Sequence, residues 1–192
     1  MKQQIFIYLF DGFSDWEIAY LTPEINKSEK FDLVYFSADG NPVSSSGGME
    51  VRVDCSLSQI NIDDVHMLIL PGGEAWERGG NSVITSFVAE LYTKGVAIAA
   101  ICGATFFLAQ LGILDNVKHT SNVLFYLQGV APNYVGADQY VDSLAVSDGN
   151  IITANGIAPI EFAREVFLVL ELYNNEGVER WFQLFKNGIW SE

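Results

Sequence analysis

The segment Val96 to Ile101 is apolar at every position, and helical spacing resumes at Gly103 with Phe106, Phe107 and Leu111. A single residue, Cys102, therefore separates a strand from a helix. A strand with no polar position has no face to offer to water, and such strands occupy the centre of parallel sheets covered on both sides. Parallel neighbours need crossover connections, usually helical, and the chain supplies them. Ile5 to Phe10 is a short apolar strand ended by Asp11-Gly12, and Asp15 to Lys30 shows helical spacing with Trp16, Ala19 and Tyr20 on one face. Pro23 predicts a break or kink in that helix near Leu21-Thr22, because an interior proline lacks the amide donor and clashes with the preceding turn. Phe31 to Ala38 and Val65 to Leu70 read as strands, the second ended by Pro71-Gly72-Gly73. Between them, turn residues Asp39 to Pro42 lead into Val43 to Val53, a predicted hairpin. Ser82 to Lys94 is a helix stopped by Gly95. Val141 to Val146 and Asn150 to Thr153 flank an Asp148-Gly149 turn as a second hairpin, and Ile160 to Tyr173 and Val178 to Lys186 close the chain as helices.

This alternation predicts an α/β fold, a doubly wound, mostly parallel sheet, in one domain spanning residues 1–192. With 49% apolar and 18% charged residues the chain can bury a sizeable core. It carries 24 Asp plus Glu against 10 Lys plus Arg, a formal net charge of −14, which argues against a nucleic-acid partner because phosphate binding rests on basic residues. The uncharged stretch Gly95 to Leu114 is twenty residues long, just enough to span a bilayer, but its first half patterns as strand and its second as helix, so no membrane partner is expected. Two cysteines are too few for a disulfide framework and Met1 to Phe10 lacks a secretory pattern, so a cytoplasmic location is expected.

In doubly wound sheets ligands bind beyond the carboxyl ends of the strands. That rule selects Asp11 to Glu17, Gly72 to Trp76 and Cys102-Gly103. A sulfur in the sharp turn at Cys102 would face the amides of the first helical turn, whose positive end lowers a thiol pKa. The geometry is similar to the nucleophile elbow of hydrolases. The plain alternative is a small buried apolar residue. Two histidines and two cysteines, all well separated, give no metal-ligand spacing, and no G-x-G-x-x-G follows the first strand, so neither a metal nor a nucleotide cofactor is expected.

Four linked motifs carry a resemblance over nearly the whole chain. They are D-G-F-S-D-W-E at Asp11 to Glu17, L-I-L-P-G-G at Leu68 to Gly73, A-I-C-G-A-T from Ala100 to Thr105, and T-A-N-G-I-A-P-I-E-F-A at Thr153 to Ala163. In this order they resemble the ThiJ/PfpI (DJ-1/PfpI) family of the class I glutamine amidotransferase-like superfamily, a flavodoxin-like fold with an elbow cysteine that includes intracellular proteases, a deglycase and isonitrile hydratases. The resemblance implies that Cys102 is the elbow cysteine, that Glu17 is the acidic residue hydrogen-bonded to its sulfur, and that Gly72 and Gly73, with Gly103, offer backbone N–H groups as an oxyanion hole. Asp15, Trp76, Asn122 and Asn155 are candidate pocket residues, and a homodimer is implied.

One departure bears on mechanism. In many members an imidazole partners the cysteine, from the next residue or from two residues beyond a threonine on the strand that follows the elbow helix. Those positions are Gly103 and Asn122 here. His119 precedes Thr120 and should face away from it, and His66 begins the strand leading to Pro71; surface or half-buried structural roles are expected for both. The cysteine protease or amidase mechanism thereby loses its usual base. The first reading is an enzyme, hydrolase-like or lyase-like, in which Cys102 attacks a small neutral electrophile such as an aldehyde, amide or isonitrile, with Glu17 moving the proton. The alternative is a non-catalytic or redox-responsive stress protein whose cysteine is reversibly oxidised. A scaffold role for Trp181, Phe182, Phe185 and Trp190 is a third, against which stand core packing and dimer contact. Asp11, Asp15, Glu17, Glu74 and Glu77 should rim the pocket against Arg78 alone, raising the thiol pKa and disfavouring anionic substrates.

Overall fold

The computed structural model describes residues 2–190. Seven strands form one sheet: β1 (Gln3–Tyr8), β2 (Phe31–Ser37), β5 (Cys55–Ser56), β6 (Val65–Leu70), β7 (Ala97–Ile101), β8 (Ala145–Asp148) and β9 (Ile151–Ala154). Their order is β5-β2-β1-β6-β7-β9-β8, parallel throughout except for the antiparallel edge pair β8–β9. The hairpin expected over Val43 to Val53 is present as β3 (Val43–Ser44) and β4 (Glu50–Val51), a separate two-stranded sheet. It is fastened to the loop after β1, where Gly12 N–H donates to Ser44 O (2.7 Å) and Ser46 N–H to Phe13 O (2.8 Å).

Ile98 to Ile101 have no exposed surface, nor do Met67 to Leu70, so helices cover these central strands on both faces. The helices are α1 (Leu21–Lys27), α2 (Thr85–Thr93), α3 (Gly103–Gln110), α4 (Leu124–Val130), α5 (Pro159–Val169) and α6 (Asn175–Asn187). Alanines at 97, 99 and 100 keep β7 thin enough for α3 to pack closely, and residues 103–109 of α3 are all buried. The twenty-residue uncharged run is thus β7 and α3 in succession, and no helix among the described residues is long and apolar enough to cross a membrane.

Most element ends shift by a few residues from the sequence reading, the helix expected over Ile160 to Tyr173 ending at Val169 and that over Val178 to Lys186 starting at Asn175, and three differences bear on the surroundings of the site. The helix expected over Asp15 to Lys30 is a 3-10 turn at Asp15–Glu17 followed by α1 from Leu21, so the break precedes Leu21 instead of falling after it. Pro23 sits in the first turn of α1, where its missing N–H has no intrahelical acceptor to lose. The strand expected from Val141 begins only at Ala145, because Ser143 N–H turns back onto Val141 O (2.9 Å). The segment carrying Thr120 is extended but joins no sheet strand; it holds a single bridge, His119 to Tyr140, and Thr120 N–H donates to Thr153 Oγ1 on β9 (2.9 Å).

Candidate active site

The carboxyl ends of β1, β6, β7 and β9 converge, and Cys102 stands at their centre. Its backbone has φ 60° and ψ −127°, a conformation that side chains rarely adopt and that turns the chain abruptly from β7 into α3. The turn is over-determined by its partners. Cys102 N–H donates to Ala154 O (2.9 Å), and Cys102 O accepts from Thr105 N–H (3.1 Å) and from Thr105 Oγ1 (2.6 Å). Thr105 Oγ1 also meets Ser121 Oγ (2.7 Å), tying the turn to the segment that carries Asn122.

Glycine backbone surrounds the sulfur because nothing larger fits. A Cβ on Gly156 would lie 2.7 Å from Cys102 Sγ, and one on Gly72 would lie 2.6 Å from Cys102 Cβ, 2.7 Å from Glu17 Oε2 and 3.0 Å from Glu17 Oε1. Gly103 has Gly73 O and the Trp76 indole at the equivalent position. The Glu17 carboxyl is fully buried in this crowd. Its Oε2 accepts from Gly72 N–H (2.5 Å), while Oε1 has no partner at hydrogen-bonding geometry. Burial pushes this carboxyl up to about 7 against the pull of the Gly72 amide and the nearby thiol. The Cys102 thiol moves the same way, up to about 11, first through burial and then through the negative charge of Glu17, opposed by donors from Asn122 and Gly103 N–H. The helix terminus does favour the thiolate, as the turn suggested, but burial and Glu17 win.

Asn122 reaches the sulfur from the segment that follows α3. Its Oδ1 accepts from Gly156 N–H (2.8 Å), which fixes the amide so that Nδ2 donates to Cys102 Sγ (3.4 Å). An amide nitrogen donates but takes no proton, so this contact steadies charge on sulfur and supplies no base. Asn155 stands one step back, its Nδ2 donating to Ser121 O (3.3 Å) and Asn122 O (3.0 Å).

Other residues from the sequence reading are placed differently. Trp76 is buried, 2% exposed, donating from Nε1 to Pro71 O (2.8 Å) and packing on Tyr8, Phe10 and Phe107; it backs the site and does not line its mouth. Asp15 holds the hairpin tip through Ser45 Oγ (2.7 Å). Gly72 N–H is committed to Glu17, and Gly103 N–H is directed at the Cys102 sulfur. His119 is fully buried, contrary to the surface or half-buried position expected, with Nδ1 on Val117 O (2.7 Å) and Nε2 on Tyr134 Oη (2.6 Å). Both ring nitrogens are thereby occupied. His66 is exposed at the start of β6, stacked on Phe31 at the opposite end of the strands. Trp181 is core, packed on Phe167, whereas Phe185 and Trp190 reach solvent. Gly156 was not singled out in the sequence, although a side chain there would collide with the sulfur.

The DJ-1/PfpI family model matches residues 3–168. The chain belongs to the DJ-1/PfpI family. Among family relatives, a protein named uncharacterized protease YoaZ from Bacillus subtilis is 37% identical over 191 residues, 96% of this chain and 91% of that one. Deglycase PfpI from Pyrococcus furiosus is 28% identical over 144 residues, 74% of this chain and 83% of its own. A crystal structure of a thiJ/pfpI family protein from Bacillus anthracis superposes with a TM-score of 0.92 at 35% identity, covering 98% of this chain and 92% of the other. DJ-1/PfpI relatives thus bear protease and deglycase names, and the sheet and flanking helices are theirs.

Proposed function

We propose that this DJ-1/PfpI protein is a cysteine-dependent enzyme for a small uncharged electrophile, with an aldehyde as the type case. Cys102 is the nucleophile, Glu17 the proton carrier, and the Gly73 and Gly103 amides the donors for developing negative charge. The observation that carries this reading is the fully buried Glu17 carboxyl beside the sulfur, with Oε2 on the Gly72 amide, Oε1 without a partner and its pKa raised to about 7. A base poised near neutral pH is matched to its task. The two groups share one proton: while Glu17 is charged the thiol holds its own, and when the proton passes to Glu17 the repulsion that raised the thiol disappears.

With an aldehyde the step balances as follows. The Cys102 Sγ–C bond forms as the carbonyl π pair moves to oxygen, and the thiol proton passes to Glu17. The alkoxide, held by the two glycine amides, takes that proton back, leaving a hemithioacetal and a regenerated carboxylate. Attack on a peptide is less well supported, since a departing amine needs a proton from a positioned acid and Asn122 stands where an imidazole would give it. Asp11, Asp15, Glu74 and Glu77 accept from Ser44 N–H, Ser45 Oγ, Arg78 and Tyr126 Oη, and the acidity of these loops further disfavours anionic substrates.

Methylglyoxal consumption tests this reading. We expect Cys102→Ala to lower the rate at least about a hundredfold, an effect of the size seen when a nucleophile is removed, and Cys55→Ala to leave it within about twofold. Equal turnover by Cys102→Ala and wild type on every carbonyl tried would overturn it. Mild peroxide followed by mass spectrometry tests the redox alternative, which requires Cys102 to be oxidised ahead of Cys55.

A further inference from the structure

Residues 76–85 and 107–111 line a pocket of about 80 Å³, where Trp76 and Phe107 pack with ring centroids 4.9 Å apart. Trp76, Phe107 and Leu111 give it apolar walls, no charged side chain lines it, and Gln110, which also lines it, is exposed to solvent. Asn81 is the buried polar residue of this lining, 3% exposed. It heads the 3-10 turn Ser82–Ile84 that leads into α2, a position where an asparagine oxygen ordinarily accepts from first-turn amides. Here the side chain makes no such bond. Its Oδ1 accepts instead from Tyr8 Oη (3.3 Å), and Nδ2 has no partner. A buried donor without an acceptor costs free energy, so native structures keep one where a water or a ligand meets it. The pocket exceeds what one water needs and has about half the volume of a cavity that takes up benzene, which suits about three or four non-hydrogen atoms.

We infer that this pocket is a second binding site, for a small uncharged carbonyl compound whose oxygen accepts from Asn81 Nδ2 while its short apolar body lies against Trp76, Phe107 and Leu111. A carbonyl oxygen brings an acceptor without a donor that would itself need a partner. A charged ligand would lose its hydration with nothing of opposite sign to replace it. The site does not depend on the proposed role of Cys102, yet it shares a wall with the elbow: a Cβ on Gly103 would lie 3.3 Å from Trp76 Cδ1.

Acetone is the probe, titrated into the full chain and followed by NMR at the Asn81 side-chain amide and the Trp76 indole N–H. We expect saturable shifts at both groups, with a Kd in the millimolar range that suits so few atoms. Cys102→Ala should give the same Kd within about twofold, as separate sites do. Asn81→Leu, which keeps the volume and removes the donor, should weaken binding about fivefold, the size of one neutral hydrogen bond. Thr85→Leu, which takes up part of the space from α2 and leaves Asn81 in place, should abolish saturation. Shifts that do not saturate, or that vanish in Cys102→Ala, would overturn the inference, the second by placing acetone at the sulfur. So would an unchanged Kd in Asn81→Leu, which would mean that water alone meets Nδ2. If Asn81→Leu does not fold, Thr85→Leu decides: wild-type affinity there overturns the site.

Discussion

Cys102 and Cys55 invite comparison because the bare chemistry of their surroundings is alike. Each lies at the end or start of a short strand, each is partly exposed, each has an acidic neighbour, and burial with that neighbour's charge raises both thiols. Yet Cys55 sits on the edge strand β5 beside Asp54, whose carboxylate already accepts from Tyr35 N–H (2.8 Å). Nothing at Cys55 is arranged to take its proton or to meet charge on a bound oxygen. At Cys102 the acid is buried with a free oxygen, the Gly103 N–H and the Asn122 amide are turned to the sulfur, and the backbone is forced into a turn. A raised thiol pKa therefore does not distinguish the two cysteines; the neighbouring proton acceptor and donors do.

The largest expected way to break this contrast is Gly156→Ala. Its methyl would overlap Sγ at 2.7 Å and crowd Asn122 Oδ1 at 3.3 Å. We expect a loss of about 2–3 kcal/mol in urea denaturation, the upper range for overpacking, with Cys102 alkylation changed and Cys55 unaffected. Stability matching wild type would mean that the glycine cradle is not tight.

Glu17→Gln sharpens the comparison next. Glu17 ionises near 4.5 in an unfolded chain and near 7 in the folded one, so between those values the folded state holds the extra proton. Stability is thus full below about pH 4.5, falls as pH rises to about 7, and stays reduced above. Glutamine mimics the protonated acid, so the variant should be more stable than wild type at pH 8 by about 1–3 kcal/mol and no different near pH 4. It should also lower the Cys102 thiol pKa while leaving that of Cys55 unchanged. A variant less stable than wild type at pH 8 would contradict the buried, raised carboxyl.

The smallest effect belongs to Asn122→Leu. Removing the Nδ2–H contact to sulfur should raise the Cys102 thiol pKa by less than about one unit, measurable from the pH dependence of iodoacetamide alkylation. A fall would mean that the amide presents its oxygen to the sulfur.

Much of this was legible in the chain. The unbroken β7 run, the abrupt return to helix at Gly103 and the P-G-G after β6 are local signals, and the family motifs tied Glu17 to Cys102 across 85 positions (102 − 17). What escaped depends on long-range pairing. The reading of β8 and β9 as a hairpin was right, but β9 also pairs in parallel with β7, which brings Asn155-Gly156 to the carboxyl-end site. No periodicity reports that second neighbour. The capture of the Gly72 amide by Glu17 across 55 positions was hidden for the same reason. Trp76 and His119 were misjudged because residue type does not reveal whether a side chain faces a cavity or the core.

The positive φ at Cys102 also has meaning for how this sequence can drift. Glycine at 102 would relax a backbone conformation that costs any other residue about 1–3 kcal/mol, and one codon step separates cysteine from glycine. Under random substitution, selection for stability alone would push this position towards the smaller residue. A cysteine at this position runs against that gradient.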